Sequence, residues 1–206
     1  MTTDELLLKI QAALPGEKAH AAFMPSRGNT SIKIKEGVPY KESAVAIILF
    51  HDLHQRLKMV VTKRQEYDGS HSGQISFPGG KRELQDENLI DTAKRECFEE
   101  IGIDGSQYSF LKELSPVYIP VSQFLVSPYL FYSKAHLLNY HRNLREVKEI
   151  IEIDIQQLFD ESSIVYHDVK VNHSLILKRV PHFKQDEVLI WGATALMINE
   201  LKWLLQ

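Results

Sequence analysis

The chain has 206 residues, enough for one domain with a substantial core. Its 24 basic and 27 acidic residues give a net charge of −3, which excludes a broadly basic protein held on nucleic acid by charge. A single cysteine excludes an intramolecular disulfide and favours a reducing compartment. The acidic start, MTTDELLLKI, is unlike the basic region of a signal peptide. We therefore expect a cytoplasmic protein that acts on a small molecule.

The N-terminal part of the chain predicts a helix, a wrapping arm and a strand pair. A capping box at Thr2 begins the helix, and Pro15-Gly16 is predicted to end it. We interpret residues 19–40, with their scattered glycines and prolines, as an arm around the domain. The apolar run 44–50 predicts a buried strand and is far shorter than the ~20 residues that a membrane span needs. Residues 57–62 predict its hairpin partner.

The rest of the chain mixes helices with short strands. Residues 88–101 form a helical pattern with an apolar stripe, and Gly102 stands where a left-handed C-terminal cap belongs. The further predicted elements are strands at 108–113, 117–119, 124–132, 145–153, 163–166, 175–180 and 188–191, a short helix at 154–160 and a closing helix at 192–205. This order predicts an α+β fold, an α/β/α sandwich with a mixed β-sheet flanked by helices.

Residues 94–103 carry the strongest chemical signal. Glu96 and Glu100 are one helical turn apart and border the apolar stripe, whereas Glu99 lies further toward solvent. Two glutamates at this spacing repel each other by about 0.2–0.5 kcal/mol in water, and partial burial increases the repulsion. A divalent cation explains the arrangement, because Mg²⁺ prefers oxygen ligands and can link carboxylates to a phosphate. The alternative is a solvated acidic helix face.

A glycine pair and the acidic helix form one longer pattern, Gly79-Gly80 followed by Arg95-Glu96-Cys97-Phe98-Glu99-Glu100-Ile101-Gly102-Ile103. This pattern resembles the Nudix box of Nudix hydrolases. The spacing from Gly80 to Arg95 is one residue longer than in the usual box. The first acidic residue of the box therefore has two candidates. Glu87 keeps the usual spacing to Arg95, and Asp86 keeps the usual spacing from Gly80.

Segments that flank the box contain further motif residues: Val60-Val-Thr62-Lys-Arg64, His71, Gly73-Gln-Ile-Ser-Phe77-Pro-Gly-Gly80, Pro116-Val-Tyr-Ile-Pro120, Phe124-Leu-Val-Ser-Pro128-Tyr and Ile190-Trp-Gly-Ala-Thr-Ala195. Together with the longer box, they resemble the coenzyme A pyrophosphatase branch of Nudix hydrolases. The chain departs from that branch at Gln65, where a small residue is usual, and at Gly69, where an arginine is usual. The missing arginine removes an expected phosphate contact, so other substrates stay open.

The resemblance implies metal-dependent hydrolysis of coenzyme A or acyl-CoA to 4′-phosphopantetheine, or its acyl form, and adenosine 3′,5′-bisphosphate. It also implies Mg²⁺ or Mn²⁺ as cofactor and a small-molecule nucleotide diphosphate as partner. The alternatives are a Nudix hydrolase for ADP-ribose or a dinucleotide, and a non-catalytic binding module with the same fold. We interpret residues 1–43 as an N-terminal helix and arm and residues 44–206 as the Nudix hydrolase domain. A homodimer is compatible with the sequence, which does not define the oligomeric state.

The resemblance and the helix geometry together nominate the site residues. Glu96 and Glu100 are the preferred metal ligands, with Glu99 as a third and the Gly80 carbonyl as a further one. Glu99, Glu100 and Arg95 are the expected catalytic residues, and Arg95 is expected to orient the carboxylates by ion pairing. The general base is either Glu99, acting through a metal-bound water, or a glutamate from a later loop. The candidate substrate contacts are Arg64, Lys81, Arg82 and His71.

Overall fold

The computed structural model describes residues 1–24, 39–66, 72–170 and 176–206. In these ranges the helices are α1 (Thr3–Lys9), α2 (Glu17–Ala21), α3 (Leu89–Ile101), α4 (Ile155–Leu158) and α5 (Gly192–Leu205). The strands are β1 (Lys41–His51), β2 (Leu57–Arg64), β3 (Ile75–Ser76), β4 (Gly79–Lys81), β5 (Ser109–Glu113), β6 (Val117–Ile119), β7 (Phe124–Ser133), β8 (Val147–Asp154), β9 (Ile164–Lys170), β10 (Ile176–Gln185) and β11 (Val188–Ile190). No helix in these ranges is both long and apolar enough to cross a bilayer.

The strands form two sheets. The larger sheet has the order β3-β2-β1-β7-β5, with β4 paired to β1, β6 to β7 and β8 to β2. Its central pair, β1 with β7, is parallel, and its other pairs are antiparallel. The smaller sheet has the order β11-β10-β9. The predicted α+β class with a mixed sheet is therefore confirmed.

Helices cover both faces of the larger sheet. On one face, Ala44, Ala46 and Ile48 of β1 pack with Ala93 and Cys97 of α3. This layer places α3, with its acidic residues, directly over the centre of the sheet. These three residues of β1 share one face of the sheet because alternate residues of a strand point to the same side.

The opposite face of β1 packs against the terminal helices. Ile47 and Leu49 belong to one buried cluster with Leu6 of α1, Phe23 after α2 and Leu201 of α5. The N-terminal segment therefore contributes to the same core as the last helix. Most of the predicted arm, residues 25–38, lies outside the described residues.

The N-terminal helix is shorter than the sequence predicted. It ends at Lys9, not at Pro15-Gly16. Lys112 Nζ donates to the carbonyls of Ile10 and Ala12 at 2.7 Å each, so a tertiary contact satisfies backbone oxygens that a longer helix would have bonded. Lys9 Nζ in turn donates to the last two carbonyls of the chain, at 2.7 and 2.9 Å. Lys112 thus connects the end of α1 to β5, and Lys9 connects α1 to the C-terminal end of α5.

The smaller sheet is also longer than predicted. β10 was expected at 175–180 but continues through Pro181, and β9 extends from the expected 163–166 to Lys170. Proline lacks the N–H that a strand with two neighbours needs. β11 pairs only with Phe183–Gln185, so at Pro181 the strand has its neighbour β9 on one side only. That position tolerates the proline.

Candidate active site

The acidic helix begins and ends as its sequence predicts. The Asn88 side chain caps its start by accepting from Asp91 N at 3.0 Å. Gly102 ends it in the left-handed conformation, with φ +74°, and donates to Phe98 O at 2.9 Å. A Cβ on Gly102 would also lie 2.5 Å from Cβ of His141, so this position requires glycine for its conformation and for space.

Arg95 connects three carboxylates at the surface of α3. Its Nε and Nη2 donate to the two oxygens of Asp86 at 2.9 and 3.0 Å. Its Nη1 donates to Glu96 Oε1 at 2.9 Å and to Glu99 Oε2 at 3.1 Å. Nη2 also donates to the Lys81 carbonyl at 3.0 Å. The guanidinium therefore joins the loop after β4 to the acidic face of the helix.

The structure distinguishes between the two candidates for the first box carboxylate. Asp86 is 6% exposed and also accepts from Thr92 Oγ1 and from Glu83 N, each at 2.9 Å. The hydrogen bonds from Arg95, above all, and those from Glu83 and Thr92 hold the pKa of Asp86 well below its usual range, although burial opposes them. Glu87 is exposed. Asp86 is therefore the acidic residue that pairs with the arginine of the box.

Glu100 is buried, with 3% of its surface exposed. Its Oε2 has no hydrogen-bond partner among the described residues, and its Oε1 lies 3.9 Å from Arg64 Nη1. Burial raises the pKa of Glu100 to about 8; Arg64 opposes this shift, whereas the charges of Glu96 and Glu146 add to it. The ionised carboxylate therefore needs more positive charge than the side chains of the described residues supply.

The glycine pair gives Glu96 its space. Burial raises the pKa of Glu96, although Arg95 opposes the shift. A Cβ on Gly80 would lie 2.4 Å from the Glu96 carboxylate, and a Cβ on Gly79 would lie 2.3 Å from the Ala44 carbonyl oxygen. Gly79 thus permits close pairing of β4 with β1, and Gly80 keeps the volume beside Glu96 open.

Glu146 joins this group from a distant part of the sequence. It is an exposed residue immediately before β8, and its negative charge raises the pKa of both Glu96 and Glu100. The sequence leaves a later-loop glutamate open as the general base, and Glu146 fits that description. The sequence does not single out Glu146 among the later glutamates, because no local motif marks it.

The candidate substrate contacts divide into three groups. Arg64 lies next to Glu100. Lys81 and Arg82 line a cavity of about 780 Å³ together with Glu96, but the Arg82 guanidinium is already engaged. It donates to Glu42 Oε2 at 2.9 Å and to the carbonyls of Glu87 and Asp86 at 3.0 and 3.3 Å. His71, and Gly69 where the chain departs from the coenzyme A branch, lie outside the described residues.

The donor groups fit a divalent cation. Where the structure describes the chain, no three His, Cys, Asp or Glu side chains already converge as a metal cage. Arg95 holds Glu96 and Glu99 at its own Nη1. However, Glu100 Oε2 is buried and has no hydrogen-bond partner within the described ranges, and the Glu96 carboxylate lies one turn away. Both groups are oxygen ligands of the kind that Mg²⁺ and Mn²⁺ prefer.

Sequence comparison identifies the relatives of this chain. Residues 40–176 match the NUDIX domain family. An uncharacterized Nudix hydrolase named NudL from Yersinia enterocolitica is 33% identical over 146 residues, which cover 69% of this chain and 71% of that protein. NudL from Photorhabdus laumondii is 33% identical over 143 residues, which cover 69% of this chain and 74% of that protein.

Solved structures share the fold. A MutT/nudix family protein from Enterococcus faecalis has a TM-score of 0.53 at 14% identity, covering 97% of this chain and 73% of that one. The MutT protein from Methanosarcina mazei Go1 has a TM-score of 0.51 at 16% identity, covering 82% of this chain and 96% of that one. The family match includes the glycine pair, the longer loop and the whole of α3. The chain therefore belongs to the Nudix family and is a pyrophosphohydrolase of nucleoside diphosphate derivatives.

Proposed function

We propose that this enzyme hydrolyses the diphosphate linkage of coenzyme A or acyl-CoA with Mg²⁺ or Mn²⁺. The products are 4′-phosphopantetheine, or its acyl form, and adenosine 3′,5′-bisphosphate. The observation that carries the proposal is the pairing of Asp86 with Arg95 across a loop that is one residue longer than in the usual box. That longer loop, with the segments 60–64 and 73–80, is the feature that resembles the coenzyme A branch.

In this proposal Glu96 and Glu100 hold the cation, with Glu99 as a third ligand and the Gly80 carbonyl as a further one. A divalent cation supplies the positive charge that the buried Glu100 carboxylate lacks, together with Lewis acidity toward phosphate oxygens and water. Arg95 orients the ligands, because its Nη1 bonds both Glu96 and Glu99. Charge neutralisation at α3 is a precondition for binding a strongly anionic diphosphate.

The side chains around α3 then divide the work of hydrolysis. Water attacks phosphorus in line with the bond that breaks, and the leaving phosphate departs with the bond's electron pair. We assign the proton of this water to the Glu146 carboxylate, with Glu99 as the alternative acceptor. Arg64 and Lys81 stabilise the negative charge of the diphosphate, and His71 is a further proposed substrate contact.

The cavity beside Glu96 supports a substrate of nucleotide size. Its volume of about 780 Å³ lies within the usual range for small-molecule and cofactor sites, roughly 300–1,000 Å³. Lys81 and Glu96 both line it, so a substrate there lies next to one positive side chain and to a carboxylate of the acidic helix.

A second substrate class is favoured by one specific departure. Gly69 replaces the arginine that is usual in the coenzyme A branch, so a phosphate contact of that branch is absent. ADP-ribose and dinucleotides contain the same diphosphate linkage, and their cleavage uses the same residues of α3. They are the alternative substrates that a direct comparison has to include.

A substrate panel tests the proposal. Coenzyme A, acetyl-CoA, ADP-ribose and a diadenosine polyphosphate are each incubated with Mg²⁺ or Mn²⁺, and the products are identified by mass. We expect coenzyme A or its acetyl form to have the highest kcat/KM and to yield adenosine 3′,5′-bisphosphate. Faster cleavage of ADP-ribose by about 10-fold or more would overturn the coenzyme A assignment. The Glu100→Gln variant controls for a contaminating hydrolase.

The organisation of the chain is also part of the proposal. We regard residues 1–43 as a helix and arm attached to the Nudix domain at 44–206. The N-terminal segment is anchored at Glu200 of α5, which accepts from Gly16 N at 3.1 Å and lies 3.5 Å from His20 Nε2. A homodimer and a cytoplasmic location without nucleic-acid partners remain predictions. Sedimentation at several protein concentrations tests the dimer.

A further inference from the structure

Gln65 makes three hydrogen bonds to the stretch of chain that carries Glu146. It follows Arg64 at the end of β2, and its backbone N–H donates to the Glu146 carbonyl at 2.9 Å. Its side-chain Nε2 donates to Leu144 O at 2.8 Å and to Val147 O at 3.5 Å. The side chain therefore holds both flanks of Glu146, and the backbone holds Glu146 itself. A small residue at position 65, as in the branch that the sequence resembles, has no such side-chain bonds.

The strand ladder is irregular at the same point. The register of β2 and β8 shifts between Lys63 and Arg64, which leaves Lys148 as an extra residue in β8. Such bulges redirect neighbouring side chains and are frequent beside active sites. Because regular pairing ends here, the position of Glu146 depends on local hydrogen bonds rather than on the ladder.

The other end of this stretch is attached to the acidic helix. Asn143 N donates to the Glu100 carbonyl at 2.9 Å. The Asn143 backbone carbonyl accepts from Glu146 N at 3.2 Å and from Val147 N at 2.9 Å. The Asn143 side-chain Oδ1 accepts from Arg145 N at 3.1 Å. One residue thus links the backbone of Glu100 to the backbone of Glu146.

We propose that Gln65 is a positioning residue of the hydrolase, which acts through Glu146. Gln65 and Asn143 hold residues 143–147 from two sides, so the backbone that carries Glu146 is fixed relative to the end of α3 before substrate arrives. The inference rests on the proposed role of Glu146 as proton acceptor. Loss of the Gln65 side chain leaves its backbone bond to Glu146 and the Asn143 bonds intact, but removes the hydrogen bonds to the carbonyls of Leu144 and Val147. A displaced base slows the chemical step, whereas substrate binding through other residues is kept.

A double-mutant cycle tests this inference. The kcat and KM of the full chain are measured with Mg²⁺ for Gln65→Ala, Glu146→Gln and the double variant, on coenzyme A and in parallel on ADP-ribose. We expect Gln65→Ala to lower kcat about 10-fold with KM within about twofold. We expect Glu146→Gln to lower kcat about 100-fold, and the double variant to be no slower than Glu146→Gln alone.

Two further variants separate positioning from folding. Gln65→Asn keeps the carboxamide but is one methylene too short to reach both carbonyls, so it should lose kcat as Gln65→Ala does. Gln157→Ala is the control. It removes an exposed hydrogen bond that Gln157 Oε1 accepts from Gln185 Nε2 at 2.9 Å, away from α3, and it should keep the parental kcat. Melting temperatures measured for all variants show whether each is folded under assay conditions.

Each outcome decides a separate point. If Gln65→Ala lowers kcat by the same factor with and without Glu146, Gln65 acts independently and the inference is wrong. It is also wrong if Gln65→Ala lowers only the melting temperature. A normal kcat for Glu146→Gln would instead overturn the role assigned to Glu146. This single variant tests Glu146 independently of any change at Gln65. Absence of hydrolysis for both substrates in the parental enzyme would overturn the proposed function.

Discussion

Asp86 accepts two hydrogen bonds from the Arg95 guanidinium, at 2.9 Å from Nε and 3.0 Å from Nη2. The Asp86 and Arg95 side chains are 3% and 15% exposed. Paired hydrogen bonds between arginine and a carboxylate are among the strongest in proteins, and removal of one partner leaves a buried charge. The pair therefore fixes the loop after β4 and aims the remaining donor of Arg95 at Glu96 and Glu99.

Replacement of Asp86 should destabilise the fold, whereas replacement of Glu87 should not. We expect Asp86→Ala to lower the free energy of unfolding by about 3 kcal/mol. The exposed neighbour variant Glu87→Ala should change it by about 0.5 kcal/mol or less. Urea unfolding of the two variants and the parent measures both values. A larger loss for Glu87→Ala would contradict the assignment of Asp86 as the partner of Arg95.

The Asp86 contribution should also depend on pH. Its pKa is lowered in the folded state, so its stabilisation is complete above the unfolded value of 3.8 and is lost as the pH falls through the lower folded pKa. The difference in unfolding free energy between the parent and Asp86→Ala should therefore be constant near neutral pH and shrink only below about pH 4. A difference that already shrinks between pH 7 and pH 5 would contradict this origin.

The acidic helix was predictable because its determinants are local. Asn88 at the start, an apolar stripe and Gly102 at the end lie within one short segment, and each acts through its own backbone or its helical neighbours. The same spacing predicts Glu96 and Glu100 at the border of the apolar stripe and Glu99 further toward solvent. In the structure Glu96 is partly buried, Glu100 is buried and Glu99 is exposed. Local rules therefore defined the element and most of its chemistry.

Other parts of the site depend on the path of the chain through space. The choice between Asp86 and Glu87 follows from the conformation of the loop after β4. Arg82 stabilises that conformation by donating to the carbonyls of Asp86 and Glu87. The stretch that carries Glu146 is fixed to α3 because Asn143 N bonds the Glu100 carbonyl and Gln65 bonds Leu144 and Glu146. These contacts join distant segments, and no periodicity in the sequence records them.

Glu100→Gln should separate activity from stability. The pKa of Glu100 is raised from 4.5 to about 8. Between these two pH values, Glu100 is protonated in the metal-free folded state and ionised in the unfolded chain. Stability due to this group therefore falls as the pH rises from 4.5 to about 8. We expect Glu100→Gln to raise the melting temperature of the metal-free protein at alkaline pH by about 3 °C or more. Hydrolysis should fall about 100-fold or more, because the cation loses a ligand.

Glu99→Gln is the matched control for that experiment. Glu99 is 49% exposed and contacts Arg95, so its neutralisation relieves no buried charge. Its melting temperature without metal should stay at or below that of the parent. Near-normal hydrolysis by Glu100→Gln, with the fold intact, would contradict the role of Glu100 as a metal ligand.

Mg²⁺ should bind more tightly as the pH rises toward about 8. The cation competes with the proton on Glu100, whose pKa is about 8 because the carboxylate is buried. With one proton displaced, affinity should increase about 10-fold per pH unit below that pKa and level off above it. Calorimetric titrations at pH 6, 7 and 8 in buffers of different ionisation enthalpy measure the affinity and the released proton. An affinity independent of pH would show that Mg²⁺ binds without Glu100.

The two glycines before the loop should respond differently to alanine. A Cβ at position 79 would lie 2.3 Å from the Ala44 carbonyl oxygen, and the rigid backbone of β1 cannot yield. A Cβ at position 80 would lie 2.4 Å from the Glu96 carboxylate, which can swing away. Gly79→Ala should therefore cost about 3 kcal/mol of stability, whereas Gly80→Ala should cost about 1 kcal/mol or less but lower kcat/KM by roughly 10- to 100-fold. Unfolding and steady-state kinetics on both variants test the contrast, and a Gly80→Ala enzyme with parental kcat/KM would show that the volume beside Glu96 is not required.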